Sequence, residues 1–221
     1  MLLLLLGVIL LVQCQAQLLL QPPIAVPERT PGTVYGNGSA AAQVKIEAFL
    51  DLNCPDSRRA WPVLKRLASS YEHHEVVVII HQFPLPYHRN AFLCSQGFFA
   101  VKNNDLNNKN AHWKYMDAIY ANIGRFGSAA TEDLTTADVR NMLSLIAMKA
   151  VNIDKPTFTQ ELQEADSDTR AAWKFATRRG VAGTPWYIVN GVDLSLSDSV
   201  FVSFEDWRRV INTLLSNVSE D

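Results

Sequence analysis

Residues 75–83, "EVVVIIHQF", constrain this chain more than any other stretch. Five consecutive β-branched side chains, Val76 to Ile80, suit a strand better than a helix, and no polar alternation leaves a face for water. The run reads as a strand buried on both sides, as in a parallel sheet covered by helices. The preceding segment supplies its neighbour. Val44, Ile46, Ala48, Leu50 and Leu52 alternate with Lys45, Glu47 and Asp51, the two-residue period of a strand with its polar side chains turned outward. Between the two strands Ala60/Trp61, Leu64, Leu67/Ala68 and Tyr71 recur at helical spacing. Pro55 suits the first helical position, where its missing N–H leaves nothing unpaired. Strand, helix and strand with short connections make a βαβ unit.

Residues 87–166 read as helices only. Trp113, Met116, Ile119/Tyr120 and Ile123 form one apolar stripe; Val139, Met142/Leu143, Ile146 and Ala150 form another, opened by a Thr135…Asp138 capping box. The Asn-rich residues 103–110 read as a loop between two helices. A helix around 168–179 stops at Arg178-Arg179-Gly180. "PWYIVNGVDLSL" then gives two short strands about Asn190-Gly191. Ser203 caps a last helix, with Asp206 completing the box and Trp207, Val210/Ile211 and Leu214/Leu215 facing inward. Trp113, Trp173 and Trp207 fall on helix stripes and are expected in the core. Trp61 and Trp186 are expected in the core or beside a groove.

The N-terminus differs from the rest. "MLLLLLGVILLV" is apolar throughout and is followed by Cys14 and Ala16, the pattern of a secretory signal cleaved after Ala16. An uncleaved anchor, or a lipidated Cys14, are the alternatives. Residues 17–42 hold Pro22, Pro23, Pro27, Pro31, Gly32, Gly36 and Gly38 and read as a flexible tether. With signal cleavage the protein is expected to be secreted or to lie in the secretory lumen, or in the periplasm of a bacterium, without stable membrane insertion. A net charge of −2 without charge blocks argues against a nucleic-acid partner. Asn37-Gly38-Ser39 and Asn217-Val218-Ser219 match the glycosylation acceptor pattern. The five histidines show no metal-ligand spacing, and no metal is expected.

Cleavage removes Cys14 and leaves Cys54 and Cys94, too few to staple an exported fold. The core must hold it, and the thiols become candidates for chemistry. Cys94 sits among apolar neighbours at helical spacing in "AFLCSQGFF" and is expected to be a core residue, a disulfide with Cys54 or service as its distant resolving thiol being the alternatives. Cys54 stands where a strand gives way to a helix. Unpaired N–H groups and the positive end of the helix dipole there favour a thiolate, the form that acts as a nucleophile. Asp56 opposes that effect, while Arg58 and Arg59 assist it if their side chains fold back, so the local charges are mixed and leave the net sign open.

Four motifs in order over residues 43–217 carry a resemblance: "FLDLNCPDS", Pro62 eight residues beyond Cys54, "FPLPYHRNA" and "GVAGTPWYIVNG". Together they resemble the DsbA-like thiol-disulfide oxidoreductases of the thioredoxin-like superfamily. The resemblance implies an α/β thioredoxin-like fold, built from residues 43–86 and 168–217, with a helical insertion at 87–167. It implies a cis Pro185, with Pro55, Thr184 and Pro185 facing an extended client that can add as a strand. Two positions depart from the family. Ser57 replaces the resolving cysteine, giving Cys-Pro-Asp-Ser, and Ala48 stands where the family carries a buried acid; Glu47 is one residue off and points to the opposite face. The family's two-thiol cycle is thereby lost unless Cys94 substitutes as the second thiol. A monothiol site resembling the Cys-x-x-Ser glutaredoxins remains open, with Cys54 as nucleophile, Ser57 donating to its sulfur, protein or peptide thiols and disulfides as partners, and no cofactor beyond glutathione as co-substrate. A redox-silent peptide-binding or chaperone-like module is the alternative.

Overall fold

The structure is a computed structural model that describes residues 31–104, 109–194 and 202–218. The signal and the first part of the tether lie outside the described residues. Strand β2 (Val44–Leu50) and strand β3 (Val76–Gln82) pair in parallel, Val44 opposite Val76 through Leu50 opposite Gln82. Helix α1 (Pro55–Ser70) joins them and buries Ala60, Trp61, Leu64 and Leu67. Pro62 lies within α1 but on its exposed side. It withholds a donor there without burying an unpaired group.

The rest of the sheet is antiparallel. Strand β4 (Trp186–Val189) pairs with β2, and β5 (Val192–Asp193) closes a hairpin with β4. The turn has Asn190 at φ 48° and Gly191 at φ 82°, the left-handed geometry that tightens a two-residue hairpin. The segment expected to be wholly tether adds an edge strand. Thr33–Tyr35, here β1, runs antiparallel to β3, so the order is β1-β3-β2-β4-β5. The physical reason is local: three good strand formers lie between Gly32 and Gly36 and meet the unpaired outer edge of β3.

Helices α2 (Ala91–Asn103), α3 (Ala111–Ala121), α4 (Thr136–Val151) and α5 (Lys155–Glu164) form the insertion, with short 3-10 turns at Ile123–Arg125 and Ala129–Thr131; α6 (Asp166–Arg178) and α7 (Phe204–Val218) complete the described α-helices. Thr135 and Ser203 cap α4 and α7 with reciprocal bonds to Asp138 and Asp206. Alternation along β2 divides the core. Val44, Ile46, Ala48 and Leu50 join the main cluster with α1, α7 and the insertion. Phe49 turns the other way, to Phe83, Leu85, Ala176, Val181 and Ile188 beneath α6. Trp173 departs from expectation. It is 38% exposed on α6, its ring 6.4 Å from that of Phe83, because Ala172 and Ala176 supply the buried stripe of that helix. Among the described residues no helix is long and apolar enough to cross a membrane.

Candidate active site

Strand β2 ends at Leu50, and the chain turns through residues 51–54 before α1 begins. Cys54 is the helix N-cap, with extended backbone at φ −90° and ψ 122° and its carbonyl accepting the Arg58 N–H. Pro55 follows as the first helical residue, exposed. Across from it the Thr184–Pro185 peptide bond is cis, and Cys54 Sγ donates to the Thr184 carbonyl oxygen at 3.3 Å. Cys54, Thr184 and Pro185, 130 positions apart in the chain, thus meet at one place. Cys54 is nevertheless only 4% exposed, so its sulfur is more covered than a freely reachable thiol. Near Pro185, Thr184 Oγ1 and Trp186 Nε1 are buried without a hydrogen-bond partner among the described residues.

Ser57, expected to donate to the sulfur, shows no hydrogen bond to it among the described residues. It is fully buried, and its Oγ accepts the Asp51 N–H at 3.2 Å. The first turn of α1 faces back over the strand end, so the hydroxyl meets an unpaired backbone donor instead of Cys54. Cys94 lies in α2 with no exposure, and neither cysteine is in a disulfide. Burial pushes its thiol far above the usual range, and the nearby Asp51 adds to this.

Ala48 is fully buried in the sheet, and Glu47 points to the opposite face, as the alternation requires. There Arg179 bonds Glu47, and His81 Nε2 lies 3.3 Å from its carboxylate. His81 is held between the rings of Phe49 and Phe175, 4.5 and 5.1 Å away. Burial pulls its imidazole below the usual range. Burial opposes the Glu47 carboxylate too, but the His81 and Arg179 contacts outweigh it and hold the group at about 2.

The acid beside the thiol is a different one. Asp51, expected on an outward face, is fully buried. Strand alternation ends at Leu50, and the turn carries the carboxylate inward. Its Oδ1 accepts the Asn53 N–H at 2.6 Å, and its Oδ2 accepts the Leu85 N–H at 3.0 Å and bonds His88 Nδ1 at 2.6 Å. Burial raises its proton affinity, with these three donors acting against the rise. The Asp51 carbonyl accepts the Cys54 N–H at 3.1 Å and the Tyr120 hydroxyl at 3.4 Å. Asn53 Nδ2 and Asn90 Nδ2 both reach the Phe126 carbonyl, tying this turn to the insertion. Sequence reasoning missed Asp51, Asn53, His88 and Tyr120. The one available signal was an acid set between Leu50 and Leu52.

This geometry defines a protein of the thioredoxin fold, with a cysteine at the start of the first helix facing a cis-proline loop. Residues 29–213 match the model of a family described as thioredoxin, and the chain belongs to that family. No curated protein sequence matches it. Among solved structures it is similar to a candidate protein-disulfide isomerase from Pseudomonas syringae, with 19% identity, TM-score 0.66, and coverage of 80% of this chain and 96% of that one. It is also similar to BdbD from Bacillus subtilis in its oxidised form, with 15% identity, TM-score 0.64, and coverage of 84% and 94%. A third is a periplasmic thioredoxin-like protein from Salmonella enterica serovar Typhimurium, with 17% identity, TM-score 0.55, and coverage of 87% and 94%. At these identities the likeness is one of fold.

Proposed function

We propose that the protein is an exported monothiol thiol-disulfide oxidoreductase or isomerase acting on protein or glutathione mixed disulfides. The carrying observation is the meeting of Cys54 Sγ with the Thr184 carbonyl at the start of a helix. A client disulfide held along the Thr184-Pro185 segment would lie against that sulfur. Cys54, having given up its proton, attacks one client sulfur. A Cys54–client disulfide forms, and the other client sulfur leaves and takes a proton. A thiol of glutathione or of the client then attacks the mixed disulfide, and Cys54 departs as a thiolate and is reprotonated. Electrons balance over the two exchanges without a second protein thiol. In this reading Ser57 fills the resolving position and holds the Asp51 amide, while Pro55, Thr184 and Pro185 form the client side. Export rests on the N-terminal signal pattern and agrees with the periplasmic description of the Salmonella protein.

The low exposure of Cys54 favours a second reading, a redox-silent module that binds extended peptides. Turnover separates the two. The protein is given a glutathionylated peptide and reduced glutathione, beside a Cys54→Ser variant. Release of the peptide thiol by the wild type and not by the variant supports exchange. Equal background rates would refute it and leave peptide binding.

A further inference from the structure

Asp51 has every polar group engaged around the Cys54 turn. Its N–H meets Ser57 Oγ, its carbonyl meets the Cys54 N–H and the Tyr120 hydroxyl, and its carboxylate meets the N–H groups of Asn53 and Leu85. A carboxylate with no exposure is costly to bury unless donors surround it. Two of its three donors are backbone and come with the fold. The third is the His88 ring at 2.6 Å, and it is the only side-chain donor to this carboxylate among the described residues. His88 comes from the connection after β3, not from the turn it would support. Its side chain is 23% exposed and lies edge-on to Tyr87, which is 66% exposed. The imidazole thus links a sealed carboxylate to the surface.

We infer that His88 is a positioning residue for Cys54: through the Asp51 carboxylate it latches the 51–54 turn that presents the thiol to the Thr184 carbonyl. The chain of contacts is continuous. His88 Nδ1 holds Oδ2, Oδ1 holds the Asn53 amide, and the Asp51 carbonyl holds the Cys54 amide. With the ring removed, the carboxylate keeps its burial but loses a charge-assisted bond. It can recover solvation only by opening the turn that covers it. Opening the turn frees the sulfur from Thr184.

This inference rests on the proposed function only for the importance it gives Cys54, and its test needs no turnover. Native protein is labelled with a small alkylating reagent, and Cys54 and Cys94 are read separately by peptide mass spectrometry. His88→Leu should label Cys54 roughly ten- to a hundred-fold faster than wild type, the scale of one lost hydrogen bond to a charged group. His88→Asn keeps a donor at the height of Nδ1 and should restore the rate to within a few-fold of wild type. His88→Gln sets its amide where the outer ring nitrogen stands and should behave like His88→Leu. It serves in place of the leucine variant should that one not fold. Cys94 should stay at its wild-type rate throughout. Wild-type labelling of Cys54 in both loss-of-donor variants would overturn the inference. So would a parallel rise at Cys94, which would mean general loosening. A protein without exchange activity whose Cys54 labelling still depends on His88 would refute the proposed function and leave this inference standing.

Discussion

Replacing Arg179 by methionine tests the charge cluster on the face of the sheet away from Cys54. Methionine approximates the apolar stem but lacks the guanidinium, which bonds Glu47 and lies over the Phe175 ring at 5.2 Å. Glu47 is held at about 2, against 4.5 for a free side chain. That depression bounds the stabilisation at about 3 kcal/mol, and solvent screening of the half-buried carboxylate and the partly exposed Arg179 lowers it. Because the folded value is depressed, this stabilisation is present above about pH 4.5 and is lost as pH falls toward about 2. His81, lowered by burial, also prefers the folded state at higher pH, so both groups predict acid lability. Because His81 shares in holding Glu47 down, Arg179→Met should lose only part of this stabilisation, about 1–2 kcal/mol at pH 7, and about half of that at pH 3, where the unfolded wild type has already taken up the proton. Urea unfolding followed by far-UV circular dichroism at the two pH values measures both. A deficit equal at pH 7 and pH 3 would refute the electrostatic argument and assign the loss to packing.

Ser57→Cys places a second thiol three residues after Cys54 on the first turn of α1. On mild oxidation, with its side chain turned from the Asp51 N–H toward Cys54, it should form a reducible disulfide, read as the loss of two titratable thiols; failure to form it would count against a turn that can hold a two-thiol pair. Gly97→Ala puts a methyl group 1.9 Å from Tyr115 Oη, in a contact between α2 and α3 with no free volume. It should destabilise the protein by about 1–3 kcal/mol in the same urea assay, and an unchanged midpoint would contradict that close approach.

Much of the architecture was legible because its signals are local. The run Val76–Ile80 demanded a covered strand, Asn190-Gly191 demanded a tight hairpin, and the Thr135/Asp138 and Ser203/Asp206 pairs marked two helix starts that the structure places where the spacing puts them. Strand β1 was hidden because a three-residue strand among glycines and prolines carries no period. Its existence depends on the open edge of β3, a tertiary circumstance. Trp173 was misjudged because a helix stripe shows which residues are apolar but not which of two flanks is covered. At the site, the meeting of Cys54 with Thr184 was an expectation of the family resemblance, not of any local pattern. Asp51 was not expected there, because a carboxylate at a strand end reads as outward until the turn beyond it is known. The donor that holds it, His88, lies 37 positions away, with no pattern linking the two.

The central claim is that Cys54 engages disulfides in the folded protein despite its cover. Native protein is incubated with oxidised glutathione, quenched in acid and examined by mass spectrometry of the intact chain and its peptides. The account predicts one glutathione joined to Cys54 and none at Cys94. A protein that takes up glutathione only after unfolding, or that instead closes a Cys54–Cys94 disulfide, would contradict it.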